Sequence, residues 1–429
     1  MAFAVVVFAV LSAAATALAK PGDLDPTFGE NGRLTLDFGT HFDRANAVAL
    51  QSDGKIVLAG TDALSTRRAN FALARLNLDG TLDRTFSGDG LRTVAFRHHA
   101  DDEAGAVAIK PNGKIVVAGN SNGGAVATRL NTDGTLDRNF ASNGRAAIAP
   151  WFDVSGVALQ ADGRIVVVGT NWALSDTRIG VARLRPNGSL DRDFAGDGSR
   201  TITFPANDGY NAGTAYAGGV AIQSDGKIVI AGGTFDPGLR FGVARLTRAG
   251  RLDRAFGAAG EVTASFGRHL GAAAEGVAIQ PSGKIVAAGE VGTDSRCQFA
   301  ALRLRPSGHL DKRFSGDGKQ TIDFGGHASI DECGAFAVAS QQDGKTIMAG
   351  ESPHLADGGN QMAVARLQKN GEPDASFGND GRVAIGFGNG GRLDWGSGVA
   401  LQPDGRIVVG GMSWQYAGQD FAVARFDGS

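Results

Sequence analysis

Short runs of alternating apolar and polar residues, separated by glycine-containing turns, recur along the chain from residue 24 to residue 427. In AVALQSDGKIVLAG, residues 47–60, two such runs flank the dipeptide Asp53-Gly54. A period of two indicates strands, and Asp-Gly or Asn-Gly between two strands predicts a two-residue hairpin with a type I′ turn. This hairpin pattern recurs at intervals of 50 to 63 residues. Its central glycines are Gly54, Gly113, Gly163, Gly226, Gly283, Gly344 and Gly405.

Each repeat contains two further strand-like runs after the hairpin. In the first repeat they are FALARL, residues 71–76, and LRTVAF, residues 91–96. We call the four strands of a repeat A, B, C and D in this order. Residues 20–429 show no helical periodicity, so seven units of four short strands predict an all-β protein, a single seven-bladed β-propeller with four antiparallel strands per blade.

The ends of the chain carry the two parts of an incomplete repeat. A lone D strand, GRLTLDF at residues 32–38, precedes the first hairpin, and the last repeat stops on a C strand, FAVARF at residues 421–426. If the first strand joins the last three, the seventh blade is complete and no strand edge stays unpaired. We therefore expect a ring that is closed by the N-terminal strand joining the C-terminal blade.

Charged residues point to the same closure. Each C strand carries an arginine, and six of these arginines are followed eight residues later by an aspartate, as Arg75 is by Asp83. Arg425 has no such partner, whereas Asp25 precedes the first repeat. We interpret the pairs as structural ion pairs rather than catalytic ones, because a catalytic pair would not recur in every unit. The count then requires that Arg425 and Asp25 meet.

Units of the form AVALQxDGKIVVAG followed by FAxARLxxDGxLDxxF resemble the delta-60 repeat family over nearly all of residues 24–427. They are also similar to the units of NHL-type propellers, whose first strand lines a central channel. The resemblance implies a propeller architecture and a secreted or surface setting. It implies no family-wide catalytic residue.

Loop lengths vary on only one side of the expected propeller. The A-B hairpin has the same length in all seven units, whereas the B-C interval varies from 10 to 16 residues and the interval that contains the D-A loop from 18 to 27. In an up-and-down blade these two loops emerge on the same face, which we call the variable face. Function is commonly carried by such loops on a rigid scaffold.

The variable face is expected to contain the tryptophans and several acids that do not repeat. Aromatic rings beside carboxylates are typical of surfaces that bind sugars or peptides. We predict a non-enzymatic scaffold for an extracellular glycan or protein, although polar loops are also often merely solvated. The candidate ligand-binding residues are Trp151, Trp172, Trp395, Trp414, Glu103, Asp153, Glu332 and Asp394.

The densest group of metal-ligand residue types is RHHADDE, residues 97–103. Imidazoles and carboxylates bind divalent metals, but this spacing matches no known ligand motif, so we predict no cofactor and keep a divalent metal as the one alternative. The candidate ligands are His98, His99, Asp101, Asp102 and Glu103. The alternative function is a metal-dependent hydrolase or lyase with its site at the channel mouth. The absence of a nucleophile elbow or a phosphate-binding loop favours the scaffold.

Composition and charge narrow the class of partner. The chain has 65 Gly among 429 residues, about twice the usual share, as expected for many tight turns. Its 42 basic and 44 acidic residues give a formal net charge of -2. The chain therefore lacks the excess positive charge that is typical of proteins that bind nucleic acid or anionic membranes. We expect a monomer whose partners are neither.

Residues 2–19 form an apolar, alanine-rich run that ends in Ala17-Leu18-Ala19. This pattern predicts a signal peptide, residues 1–19, cleaved after Ala19, and the alternative is an uncleaved anchor. After cleavage the domain of residues 20–429 would be secreted or periplasmic and free of the membrane. Cys297 and Cys333 lie in loops of neighbouring repeats, where an exported chain favours a disulfide over a reactive thiol.

Overall fold

The computed structural model consists of strands and turns in all the residues it describes, which are 19–65, 68–97, 100–148, 152–172, 177–204, 214–235, 238–267, 270–293, 295–325, 333–353, 359–388, 393–415 and 418–429. This part of the chain has no helix that could cross a bilayer, and nearly all of the apolar run 2–19 lies outside it. The all-β prediction is confirmed for the described residues.

In the described residues, twenty-eight strands form seven antiparallel units of four. The A strands are β2 (Phe42–Leu50), β6 (Asp102–Ile109), β10 (Asp153–Leu159), β14 (Ala215–Ile222), β18 (Gly271–Ile279), β22 (Gly334–Ser340) and β26 (Asp394–Leu401). The B strands are β3 (Ile56–Ser65), β7 (Ile115–Ser121), β11 (Ile165–Asn171), β15 (Ile228–Phe235), β19 (Ile285–Thr293), β23 (Thr346–Pro353) and β27 (Ile407–Gln415).

The C and D strands complete the units. The C strands are β4 (Arg68–Leu76), β8 (Gly124–Leu130), β12 (Arg178–Leu184), β16 (Leu239–Leu246), β20 (Arg296–Leu304), β24 (Asn360–Leu367) and β28 (Gly418–Phe426). The D strands are β5 (Leu91–Val94), β9 (Arg145–Ala147), β13 (Ser199–Ile202), β17 (Glu261–Ala264), β21 (Lys319–Ile322), β25 (Arg382–Ile385) and, from the N-terminus, β1 (Arg33–Leu36).

The N-terminal strand belongs to the last unit. β1 pairs antiparallel with β28, with Arg33 opposite Ala424 and Leu36 opposite Phe421. Each A strand contacts the A strand of the next unit, and β26 in turn contacts β2. Unit seven is therefore built from β26, β27, β28 and β1, which come from both ends of the chain.

The A-B hairpins differ from the predicted two-residue turn. The Gly54 amide donates to the Gln51 carbonyl at 2.9 Å, and the Gln51 amide donates to the Lys55 carbonyl at 2.9 Å. Gly54 has a φ of +83°, whereas Asp53 is not left-handed. A type I′ turn needs positive φ at both central residues, so that prediction was wrong. The hairpin is a type I turn followed by a left-handed glycine, a three-residue loop that Asp-Gly also favours.

Every A strand bends at the same place. Its pairing with the B strand shifts by one residue, which leaves a single bulged residue in each unit. The bulged residues are Asn46, Gly105, Ser155, Gly218, Glu275, Phe336 and Ser397. Bulges re-aim the side chains beside them, so the start of each A strand presents its side chains differently from the rest of the strand.

Below the bulges the core is apolar and repeats from unit to unit. The B strands of neighbouring units contribute branched residues to shared clusters, Val57 and Ile115 to one and Val116 and Ile165 to the next. Seven phenylalanines at the C-D turns are fully buried: Phe28, Phe86, Phe140, Phe194, Phe256, Phe314 and Phe377. The scaffold that carries the variable face is thus held by contacts between blades.

Candidate functional site

The repeated arginine and aspartate side chains meet on the face opposite the variable loops. Arg75 Nε lies 2.7 Å from Asp83 Oδ2, and Lys55 Nζ lies 2.8 Å from the same oxygen. The Arg75 guanidinium also covers the Phe86 ring at 4.8 Å. Burial by itself would raise the pKa of Asp83, but hydrogen bonds from Lys55 and Thr85 and the charge of Arg75 bring it well below its ordinary value. We call Lys55, Arg75, Asp83 and Phe86 the hub, a structural group that joins the A-B hairpin to the C-D turn.

The structure joins the two ends of the chain by the same contacts. Arg425 donates from Nε to Asp25 Oδ2 at 2.8 Å, although 400 residues separate the two. Arg425 also donates to the backbone carbonyl of Leu78 in unit one. Burial opposes ionisation of Asp25, but hydrogen bonds from Thr27 and the charges of Arg425 and Arg406 keep its pKa lowered. These contacts link units seven and one.

One set of equivalent positions, two residues before each bulge, is occupied by a different residue in every repeat. We call them the rim positions, because they lie at the start of the A strands, beside the variable loops. They are occupied by Arg44, Glu103, Asp153, Tyr216, Ala273, Gly334 and Trp395. Because these residues differ in every repeat, the packing between blades does not dictate which residue occupies the position. The rim is therefore a candidate functional site of the scaffold.

Five side chains of units one to three lie next to one another at the rim. Arg44 Nη2 lies 3.1 Å from Glu103 Oε2. Asn120 is directly opposite Glu103 in the β6–β7 pair, and its amide nitrogen lies 3.2 Å from Asp153 Oδ1. The Trp172 indole is within hydrogen-bonding reach of the Asp153 carboxylate. We call Arg44, Glu103, Asn120, Asp153 and Trp172 the rim cluster.

The rim cluster combines an exposed ring with fixed polar groups. The Trp172 side chain is 61% exposed, the most exposed of the large apolar residues that the structure describes. The Asn120 amide is fixed because it also donates to the Phe152 carbonyl at 3.0 Å and accepts from the Val154 amide at 2.9 Å. Partial burial raises the pKa of Asp153, and the Trp172 hydrogen bond lowers it in part. The cluster can stack a ligand on the indole and hydrogen-bond its hydroxyls or amides.

Other residues that the sequence placed at the ligand-binding face lie in different settings. Trp414 is 41% exposed at the end of β27, and Trp395 is half-buried at a rim position. Asp394 is 2% exposed and accepts a hydrogen bond from the Phe387 amide at 3.0 Å, so it holds the D-A turn and does not face solvent. Trp151 and Glu332 lie outside the described residues.

The five candidate metal ligands of residues 98–103 are only partly described. Asp102 is fully buried and accepts from the Phe96 amide at 2.8 Å, whereas Glu103 points to Arg44 in the preceding unit. Neighbouring residues of a strand face opposite sides, so these two carboxylates do not share a ligand. His98 and His99 lie outside the described residues, so a divalent metal at this group stays the alternative to the prediction of no cofactor.

The predicted disulfide is confirmed. Cys297 in β20 is bonded to Cys333, which directly precedes β22, with 6.0 Å between their Cα atoms. Both side chains are buried. The bond therefore ties the C strand of unit five to the A strand of unit six, beside the variable face.

Glu275 is an ionisable residue that the sequence pattern did not single out as a site. It is the bulged residue of β18, where the equivalent residues are uncharged. Burial raises its pKa to about 7. Aligning the seven repeats at their bulges would have identified Glu275 as exceptional. The positions of the bulges, however, follow only from the pairing register of the strands.

Replacing Glu275 by Gln is expected to remove a pH dependence of stability. A carboxyl with a raised pKa contributes fully below its unfolded value and loses that contribution as the pH rises through about 7. At pH 9 the Glu275→Gln protein should be more stable than the unmodified chain by about 3 kcal/mol, and at pH 4 the two should agree. Urea unfolding at both pH values measures this, with the exposed Glu30→Gln as control. A difference that does not change with pH would contradict the assignment.

Comparison with known proteins identifies a family. The family model described as "Domain of unknown function (DUF5122) beta-propeller" matches residues 51–86, 110–140, 160–194, 223–256, 280–314, 341–377 and 402–429, more than half of the chain. A comparison of this chain with curated proteins found no match.

Several solved structures are similar at low identity. A protein of unknown function from Dyadobacter fermentans is 12% identical with a TM-score of 0.48, over 94% of this chain and 100% of that one. The polysaccharide lyase Uly1 is 11% identical with a TM-score of 0.48, over 92% and 91%. A Trypanosoma rangeli sialidase in complex with sialic acid is 11% identical with a TM-score of 0.43, over 94% and 59%. Likenesses at this level carry no statement about activity.

The seven segments of the family match coincide with the seven structural repeats, each running from an A-B hairpin through the following C strand. Six of the segments end on the buried phenylalanine of a C-D turn, and the seventh, residues 402–429, runs to the end of the chain. The chain therefore belongs to the DUF5122 β-propeller family.

Proposed function

We propose that this chain is an exported, closed seven-bladed propeller of delta-60-type repeats that binds a glycan at the rim cluster without cleaving it. The observation that carries the proposal is the Trp172 indole, exposed at 61% and held beside the Asp153 carboxylate. An exposed aromatic face supplies the apolar contact for a sugar ring. Carboxylate and amide groups next to it accept and donate hydrogen bonds to hydroxyls.

A glycan fits the cluster better than a protein does. Protein interfaces are organised around large apolar anchors that become buried, whereas here one ring stands beside four polar side chains. The Arg44–Glu103 ion pair, whose side chains are 37% and 46% exposed, keeps the surface hydrated and can bridge to hydroxyl groups. These features match a shallow site for part of an oligosaccharide.

The closure and the export are supported by contacts far from the rim. The β1–β28 pairing, the Arg425–Asp25 ion pair and the contact of β26 with β2 are the contacts a closed ring requires. The Cys297–Cys333 disulfide favours an oxidising compartment, which agrees with a cleaved signal peptide and a secreted or periplasmic monomer.

Replacement of Trp172 by Ala should abolish or strongly weaken glycan binding. We expect the full chain to bind a subset of glycans on an array, and Trp172→Ala to bind the strongest of them at least tenfold more weakly, a loss of about 1.4 kcal/mol. Asp153→Asn should weaken binding too, because the indole loses its acceptor. Isothermal titration with the array hit measures both effects.

The control is Leu78→Ala, which removes a 55% exposed apolar side chain from the opposite face. It should bind like the unmodified chain. Equal affinity of Trp172→Ala and Leu78→Ala would contradict the site, and an array without hits would contradict glycan binding. Release of shorter sugars from a bound glycan would instead establish the hydrolase or lyase alternative.

A further inference from the structure

Two aspartates lie directly opposite one another in unit one. Asp43 on β2 and Asp62 on β3 are partners in the antiparallel register, so their side chains share one face of the sheet. Both are buried, with exposures of 0% and 8%. Like charges in such a pair are destabilising unless a proton or a cation neutralises them.

Two more carboxylates approach from the other end of the chain. Asp37 follows β1, and Asp420 lies on β28, both in unit seven. Ligand oxygens of Asp37, Asp43 and Asp420 all lie within 4.8 Å of one another. Three carboxylates therefore converge where units seven and one meet, and Asp62 adjoins them as the register partner of Asp43. Among the described residues, no basic side chain shifts the pKa of Asp62 or Asp420.

One buried oxygen of this group has no hydrogen-bond partner among the residues that the structure describes. Thr40 donates its single hydroxyl proton to Asp43 Oδ1 at 2.6 Å, and the Phe38 amide donates to Asp43 Oδ2 at 2.8 Å. The Thr40 hydroxyl is also close enough to the Asp62 carboxylate to lower its pKa. Asp62 Oδ1 itself has no partner among the described residues, although Asp62 is more than nine-tenths buried and lies opposite Asp43. An unpaired carboxylate oxygen in such a place costs free energy unless it binds something.

Other units of the same chain show what this position requires for folding alone. Asp102 in unit two and Asp394 in unit seven are equivalent to Asp43, and both accept a hydrogen bond from the D-A turn. The residues opposite them are Ser121 and Ser413, so a hydroxyl and not a second charge faces each aspartate. The fold therefore needs the first aspartate but not Asp62.

We propose that Asp37, Asp43, Asp62 and Asp420 bind one calcium ion at the junction of the first and last blades. Carboxylate oxygens with a nearby threonine hydroxyl form an oxygen-only site, which hard divalent cations prefer. Calcium is favoured over magnesium because it tolerates the irregular geometry that four chain segments impose. The bound ion would neutralise the opposed pair and join β1 and β28 to β2 and β3.

Calcium binding to the full chain tests this site. After removal of divalent ions, isothermal titration with CaCl₂ should show one ion per chain and a calcium-dependent rise in the unfolding temperature, with weaker binding of MgCl₂. Asp62→Ser reproduces the Asp102–Ser121 arrangement, so it should fold, keep its stability without calcium and lose the calcium-dependent rise. Asp37→Asn, at an exposed residue, should bind calcium at least tenfold more weakly.

The control is Asp53→Asn, an exposed aspartate of the opposite face, which should bind calcium like the unmodified chain. If the full chain binds neither calcium nor magnesium at millimolar concentration, the site does not exist. If Asp62→Ser and Asp37→Asn both bind calcium with unchanged affinity, the ion lies elsewhere. Glycan binding at the rim cluster is scored separately, so either proposal can fail alone.

Discussion

Replacing Asp25 by Asn should lower the free energy of unfolding by about 3–5 kcal/mol, because it leaves the buried Arg425 guanidinium without its countercharge. Arg425 is 4% exposed and lies 4.6 Å from the Phe28 ring, so water cannot take over the role of the carboxylate. The substitution acts where the two ends of the chain meet, and the loss should therefore also release β1. Chemical denaturation at neutral pH measures the change.

The pH dependence of this effect has a defined sign. Because the pKa of Asp25 is lowered in the folded chain, its contribution is fully present above the ordinary aspartate pKa and is lost as the pH falls through the lowered value. The gap between Asp25→Asn and the unmodified chain should therefore close in acid. Asp193→Asn is the control, since the exposed Asp193 pairs with the half-exposed Arg185 at 3.5 Å and its loss should change stability by less than about 1 kcal/mol. An equal loss in both variants would contradict the role of the junction.

Removal of the disulfide should cost about 3–4 kcal/mol of stability through the loop entropy of the unfolded chain. The bond joins cysteines 36 residues apart and constrains unit five against unit six. The Cys297→Ser/Cys333→Ser double variant should unfold at a lower denaturant concentration than the oxidised chain. Urea unfolding of both proteins measures the difference.

The unmodified chain after reduction is the matched comparison for that experiment. It should unfold with the double variant, because the two lack the same covalent constraint. The double variant itself should not respond to reductant. If reduction leaves the unmodified chain as stable as before, the disulfide does not contribute to its stability.

The repeated features of the fold could be predicted because the residue pattern that specifies each of them recurs in all seven units of the sequence. The alternation around Gly54 and its equivalents defines the hairpins, and the spacing of Arg75 and Asp83 defines the hub. The offset of Arg425 and Asp25 placed the N-terminal strand in the last unit, where β1 lies. The type I′ turn was wrong because Asp-Gly serves both loop types, and only the hydrogen bonds distinguish them.

The candidate site was predicted less completely, because it depends on register between strands far apart in the chain. Asp153 and Trp172 were expected on the variable face, whereas Arg44 and Asn120 were not singled out. Arg44 reaches Glu103 from another unit, and Asn120 is aligned with Asp153 only by the packing of β7 beside β10. Asp394 looks like a surface acid in the sequence, but a turn amide holds it in the interior.

The same limit applies to the cluster at the junction. Asp37 and Asp420 are 383 residues apart in the chain, and nothing in their local sequence relates them. They meet because β1 joins β28, and Asp62 faces Asp43 because of one hairpin register. A cluster at the junction of the two chain ends is thus identified from the structure, once the repeat has predicted that the N-terminal strand joins the last unit.

Hydrogen–deuterium exchange of the full chain with and without its array-selected glycan tests the central claim, binding at the rim cluster, most directly. We predict slower exchange in peptides covering residues 102–121 and 153–172, which contain Glu103, Asn120, Asp153 and Trp172. The hairpins at residues 51–55 and 110–114, on the opposite face, should exchange as before. Protection confined to those hairpins, with no change at residues 153–172, would contradict the account.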